Sequence, residues 1–179
     1  IYAAIYCVIM TAVAMLGFIP IMMPMLCVLV PLLGGIPMML FMTKVKKFGM
    51  ITIYSIIVGL FLWVTGMGYW PFIFGIVFGF IADLIAKSGN YKSSKKTIAS
   101  YAVFSLIIFG NFVPLLINAE EYFLTRQSFG EAYITSLTEI MGNTWLAPLL
   151  AVSCLVCGTI GGFIGKAILK KHFVKAGIA

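Results

Sequence analysis

Cys154 and Cys157 stand in a C-x-x-C spacing, the pattern of a redox pair or of half a metal site. Both fall inside an apolar run, as do Cys7 and Cys27, and in that setting free cysteine behaves as a small hydrophobe. One turn of a membrane helix places small residues at the same spacing, so helix packing is the stronger reading and no disulfide framework is implied. The single histidine, His172, lies in a basic C-terminal tail with no second group to make a catalytic pair or a zinc site. Asp83 is the one carboxylate inside an apolar run. A carboxylate at membrane depth is a functional candidate by default, but Asp83 sits near the end of its run with Lys87 four residues on, which favours a structural or interface role over a proton relay. The chain carries no phosphate-binding loop, no H-E-x-x-H and no serine nucleophile elbow. An enzyme is therefore not expected, nor a cofactor.

The elements that hold these residues follow from hydropathy. Hydrophobic residues make up 63% of the 179-residue chain and charged ones 9%, and the mean hydropathy is +1.14. Such a balance needs lipid as solvent. Apolar runs at about 1–17, 22–42, 49–66, 70–87, 97–117 and 144–168 are long enough, or nearly so, to cross a hydrocarbon core of roughly 30 Å as helices. The expected fold is all-α: one polytopic bundle of six transmembrane helices spanning 1–179. The second run holds Pro24, Pro31 and Pro37 and is expected to be bent or partly unwound. Met67, Gly68 and Tyr69 alone separate the third and fourth runs, which predicts a tight antiparallel pair with Tyr69 and Trp70 at the interface. The chain opens at Ile1 without a basic segment or a cleavage site, so no signal peptide is read and a short upstream piece is expected.

Orientation follows from the cations. Lys44, Lys46 and Lys47 follow the second run, Lys87, Lys92, Lys95 and Lys96 the fourth, and Lys166, Lys170, Lys171 and Lys175 the sixth, which leaves Arg126 alone for the other side. The positive-inside rule makes those three segments cytoplasmic, and both termini with them. The net charge of +7 is thereby explained by topology rather than by nucleic-acid binding, since no folded basic domain gathers the charges.

Small residues recur at helical spacing. Ala3, Cys7, Thr11 and Ala14 form a stripe on the first helix, Gly75 and Gly79 a G-x-x-x-G on the fourth, and Gly158, Gly161, Gly162 and Gly165 a ladder on the sixth. Such residues let helices approach closely in lipid. The glycines are assigned to packing within the bundle; for the first stripe, packing and presentation to another membrane subunit stand as equal readings. The long segment from Asn118 to Asn143 carries Glu120, Glu121, Glu131 and Glu139, four of the five acidic residues. Within it Phe129, Tyr133, Leu137, Ile140 and Met141 recur at helical spacing and predict a short amphipathic helix, either a lid over a pocket or a lipid-facing surface helix.

The tail Lys170-Lys171-His172-Phe173-Val174-Lys175-Ala176-Gly177-Ile178, the stretch Phe80-Ile81-Ala82-Asp83-Leu84-Ile85, then Gly89-Asn90-Tyr91-Lys92-Ser93 and Tyr101, resemble the Trep_Strep group of small hydrophobic bacterial proteins almost end to end. That group looks like the substrate-binding S components of energy-coupling factor (ECF) transporters. The resemblance implies a six-helix subunit in the bacterial plasma membrane that captures a micronutrient outside. It implies partners too: a membrane coupling subunit and two ATPases that supply the energy. In such transporters small residues four apart on the first helix dock on the coupling subunit; Ala3 with Cys7, or Ala4 with a residue upstream of Ile1, would fill that role here.

Position near the outer helix ends or in the long segment nominates Tyr69, Trp70, Asn111, Glu120, Tyr122, Arg126, Asn143 and Trp145 as substrate-binding groups. Their aromatics would stack a planar ring, and the 11 methionines would line an adaptable apolar pocket. A vitamin, a vitamin precursor or a porphyrin-like molecule fits that description. Two other classes remain open: a self-sufficient channel or secondary transporter, and a membrane scaffold that binds no solute.

Overall fold

The computed structural model describes residues 1–124 and 130–173, the side chains of Glu120, His172 and Phe173 excepted. Every regular element among them is helical. Helix α1 (Tyr2–Ala14) continues through a tight turn, Met15–Phe18, and is followed by α2 (Met22–Lys44), α3 (Met50–Leu62) and α4 (Trp70–Ser88). Then come α5 (Ser94–Phe104), α6 (Leu106–Phe109), α7 (Val113–Ile117), α8 (Ala119–Leu124), α9 (Glu131–Met141) and α10 (Leu146–Ile168). Four helical stretches are long and apolar enough to cross a membrane: Met22–Lys44, Met50–Met67, Trp70–Ser88 and Leu146–Lys171. The apolar helix Tyr2–Phe18 is shorter.

Small residues mark the lines where helices meet, aromatic and aliphatic side chains such as Tyr6, Tyr101 and Phe104 fill the interior, and a second set of large apolar residues faces outward. On α10 the outward line is Leu149, Val152, Val156, Ile160 and Phe163, all exposed, while the inward line is Cys154, Cys157, Gly158, Gly161, Gly162 and Gly165. Apolar stripes of this kind on the outside are what a lipid solvent permits and water does not. The glycines lie where helices come closest. A Cβ on Gly161 would collide with the Pro31 carbonyl, and one on Gly165 with the carbonyl of Gly35, so α10 rides directly on the backbone of α2. Gly158 faces Ser105 Oγ, 2.5 Å from where its Cβ would be, and Gly162 faces Ile98. On α4, Gly75 and Gly79 admit Ser55 of α3, whose hydroxyl donates to the Gly75 carbonyl at 2.6 Å. Inter-helix hydroxyl bonds recur: Ser100 to the Ala82 carbonyl at 2.7 Å and Tyr101 to the Pro31 carbonyl at 2.6 Å.

The structure corrects the expectation that the second run is partly unwound and the expectation that the 97–117 run is one continuous helix. Helix α2 runs unbroken with Pro31 and Pro37 inside it. Neighbours pack closely on the proline-bearing stretch and satisfy a carbonyl there: Gly34 takes the Tyr6 ring, Gly35 takes Gly161, and Tyr101 donates to Pro31. The break falls instead in the 97–117 run, which ends as a helix at Phe104 and resumes as α6 and α7. Pro114, at the start of α7, has no N–H and its ring crowds the Gly110 carbonyl four residues back, which favours the turn at Gly110–Phe112; the earlier turn at Ser105 lies too far back for it to cause.

Asp83 has a different partner from the one its sequence position suggests. Fully buried, its Oδ2 accepts from the Thr52 N–H at 3.3 Å and the Thr52 hydroxyl at 3.2 Å, and its Oδ1 accepts from the Tyr91 hydroxyl at 3.0 Å. Lys87 instead places its Nζ over the Phe48 ring, 4.5 Å from the centroid. The residue at the N-cap of α3 is Gly49, which has no side chain to accept from the first turn. Asp83 supplies that cap from the neighbouring helix by accepting the Thr52 N–H in the first turn of α3.

Candidate functional site

At the end of the bundle opposite the lysines, α3 unwinds through Trp63–Met67 and reverses into α4 with Gly66 at φ 89° and Gly68 at φ 87°. Left-handed backbone at two positions two residues apart favours glycine at both, and it aims Tyr69 and Trp70 together. Their rings stack at 5.5 Å with 25° between planes. Opposite them Asn118 caps α8: its Oδ1 accepts from the Glu121 N–H at 3.2 Å, and its Nδ2 donates to the Glu121 carboxylate at 3.3 Å. That reciprocal pair fixes Glu121 and Tyr122 on the facing wall. The result is a pocket of about 300 Å³ between Met67, Gly68, Tyr69 and Trp70 on one side and Pro114, Ile117, Asn118, Glu121 and Tyr122 on the other.

Beneath it lies a second chamber of about 50 Å³, which shares Met67 with the first. Met10 and Ala14 of α1, Leu26 and Val30 of α2, Leu62 of α3, Ile108 of α6, and Asn111 and Phe112 from the break after α6 line it. Asn111 is there because of the break. Its Nδ2 donates to the Ile108 carbonyl at 3.2 Å, while its Oδ1 is buried with no hydrogen-bond partner. A buried acceptor left unmade costs about 1–3 kcal/mol, and such groups in a folded protein call for an explanation.

Of the residues nominated from sequence, Tyr69, Trp70 and Tyr122 come together at the mouth and Asn111 at the chamber below. Asn143 does not join them; it lines a separate pocket of about 310 Å³ between α7 and the end of α9. Trp145 is 80% exposed and lines neither compartment. Arg126 and the side chain of Glu120 fall outside the described residues. Sequence reasoning missed Met67, Asn118 and Glu121. The last two had a legible signal, the capping spacing N-x-x-E at 118–121. Helix α9 forms within the expected 129–141 stretch, of which Phe129 lies outside the described residues; it buries Leu137 and Met141 and donates from Tyr133 to the Gly17 carbonyl at 2.5 Å. It covers the end of α1 and does not line the mouth; α8 does.

The stripe on α1 is split by the way the helix is rotated. Tyr6, Cys7, Met10 and Val13 face inward, with the Tyr6 ring 5.9 Å from Tyr54 and 5.6 Å from Phe104. That puts Cys7 in the core and leaves Ala3 and Ala14 half-buried. The outward line is Ala4, Val8, Thr11 and Ala12.

Large apolar residues exposed along the helices and four helices of membrane-crossing length define an integral membrane protein of the helical class. The chain belongs to the family described as hypothetical bacterial integral membrane protein (Trep_Strep), whose model matches residues 1–175. No curated protein and no solved structure matches it.

Proposed function

We propose that the chain is the membrane-embedded substrate-binding subunit, the S component, of an ECF-type importer. It crosses the plasma membrane six times, counting Tyr2–Phe18 and the interrupted 94–117 run, with both termini and the lysines in the cytoplasm. It captures a micronutrient at the opposite end and relies on a coupling subunit and two ATPases for energy. The observation that carries this reading is the unpaired Asn111 Oδ1 in a chamber that Met67 separates from the Tyr69–Trp70–Tyr122 mouth.

The chemistry narrows the substrate. Aromatic faces at the mouth suit a planar ring, the Glu121 carboxylate suits a cationic or donor-bearing edge, and Asn111 Oδ1 wants one N–H or O–H. Met67, unbranched and flexible, would turn aside to join the compartments. A mouth of about 300 Å³ sits at the small end of ligand sites. That favours a vitamin-sized heterocycle bearing nitrogen donors, or its precursor, over a porphyrin. The outward α1 line of Ala4, Val8, Thr11 and Ala12 is the docking face for the coupling subunit.

The test is co-expression with ECF module subunits, purification, and mass spectrometry of the small molecules retained. A four-subunit complex carrying a planar donor-bearing ligand supports the reading. Absence of both complex and ligand overturns it in favour of an autonomous transporter or a scaffold.

A further inference from the structure

At the lysine-rich end a pocket of about 450 Å³ opens between the ends of α2 and α10 and the start of α5. Lys46 enters from the segment after α2, Lys92 from the turn before α5, and Lys166 from the last turn of α10. Its floor is apolar: Met39, Met42 and Leu169 are all buried. Three cations thus converge from three elements, and none is paired with a described carboxylate. Asp83, the acid at this end, is fully buried and committed to Thr52 and Tyr91. Glu121, Glu131 and Glu139 belong to the opposite end.

Thr43 and Thr97 spend their hydroxyl protons on helix carbonyls, at 2.7 Å to Leu40 and 3.0 Å to Ser93, so the donors left to a ligand are the lysines and the start of α5. Ser94, the first residue of the 11-residue α5, lines the pocket, and that helix start has no side-chain cap on its N–H groups. An uncapped helix N-terminus beside three ammonium groups is a setting for a phosphate. Basic pockets between membrane helices, open to the surface and floored by apolar side chains, are suited to the phosphate of an anionic phospholipid, with its acyl chains running along the hydrophobic wall.

We infer that this pocket holds the phosphate headgroup of an anionic phospholipid, bridging Lys46, Lys92 and Lys166. The site is independent of the solute pocket at the other end. The lipid neutralises a charge cluster that the protein leaves uncompensated, and it bridges α2, α5 and α10 at their lysine-bearing ends.

The experiment uses the full chain in a non-ionic detergent, with unfolding followed by a thiol-reactive fluorophore that reports exposure of the four buried cysteines. Short-chain phosphatidylglycerol, the matching phosphatidylcholine and inorganic phosphate are titrated separately. Phosphatidylglycerol should raise the unfolding temperature saturably, with the other two near baseline. The triple variant K46Q/K92Q/K166Q should bind it about 100-fold more weakly, at roughly fivefold per lysine. The variant K47Q/K95Q/K171Q, equal in charge but outside the pocket, should keep its affinity within about twofold, since a diffuse charge effect would lower it as much as the pocket variant. Equal losses in the two triple variants overturn the inference in favour of diffuse surface charge. A full shift with inorganic phosphate, to which phosphatidylglycerol adds nothing, overturns it in favour of a soluble anion.

Discussion

Replacing Asn111 with leucine should move stability and binding in opposite directions. The side chains are close in shape, and three terms decide the outcome in the ligand-free protein. Removing the orphaned Oδ1 relieves about 1–3 kcal/mol of unmade hydrogen bonding. Losing the Nδ2 bond to the Ile108 carbonyl costs about 0.5–1.5 kcal/mol. That carbonyl stays paired, because it also accepts the Asn111 backbone N–H at 3.1 Å, so no new orphan is created. The branched methyls also gain contact in a chamber lined by Met10, Leu26, Val30 and Leu62. The net is a gain of about 0–2 kcal/mol, or a rise of up to roughly 8 °C for a chain of this length. A ligand that donated to Oδ1 would lose that bond and about tenfold or more in affinity. Unfolding of ligand-free protein, read through the buried cysteines, gives the first quantity, and mass-spectrometric retention gives the second. A ligand-free N111L protein that unfolds several degrees below wild type would show that Oδ1 is satisfied in the resting protein. Undiminished ligand retention would show that substrate does not reach the chamber.

At the mouth, Trp70→Ala should cut ligand retention about 10- to 100-fold, with little effect on unfolding, since one stacked ring contributes about 1–3 kcal/mol. Asp83→Ala should lower the unfolding temperature by roughly 5–15 °C, because it removes about 2–4 kcal/mol of cap and charge-assisted bonding. Tyr91→Phe, which loses one of the three bonds, should cost about a third of that. Burial first, and then the Asp83 carboxylate, push the Tyr91 hydroxyl up to about 12 from an ordinary 10.0. The fold holds the protonated form, so its contribution is complete below pH 10 and lost as pH rises through about 12; the wild-type minus Y91F phenolate absorbance should titrate there. Gly161→Ala drives a methyl into the Pro31 carbonyl and should prevent stable folding, whereas Gly162→Ala meets only the Ile98 side chain at 3.1 Å and should be tolerated, as expression and unfolding will show. On α1, Ala12→Trp should abolish co-purification with the coupling subunit while leaving the unfolding temperature unchanged.

Hydropathy made the long helices legible, because large apolar residues around a helix and small ones along a line survive any register error. Gly158, Gly161, Gly162 and Gly165 declare a packing line by type alone. Rotation of α1 was not legible. It is set by Tyr6 wedging between Tyr54 and Phe104, a contact among three helices that no local spacing encodes. The prolines misled for a related reason. Pro31 and Pro37 are tolerated because Gly34 and Gly35 bring Tyr6 and α10 onto the same stretch, while the single Pro114 breaks its run because Gly110 and Asn111 offer a helix end instead. At the site, Tyr69 and Trp70 were findable as interfacial aromatics, but Asn111 gained its meaning only from the orphaned oxygen.

The distribution of charge gives the two ends different obligations. Glu121, Glu131 and Glu139 gather at one end and the lysines at the other, so the acids that would ordinarily pair with Lys46, Lys92 and Lys166 are at the far end of the bundle. The carboxylate that does share the lysine end is withdrawn from them, because Gly49 leaves α3 without a cap and Asp83 supplies it from inside the bundle. Had Asp83 paired with Lys87, the cap would be missing and one cation neutralised; the chain takes the opposite arrangement and keeps its cations available. Charges left available at a membrane surface find their counter-ions outside the protein, in the headgroup layer. At the far end the unmet group is an acceptor, Asn111 Oδ1, beneath aromatic faces and a carboxylate, which asks for a donor-bearing ring rather than an anion. Each end is thus complementary to a different class of molecule, so loss of binding at one should leave binding at the other intact.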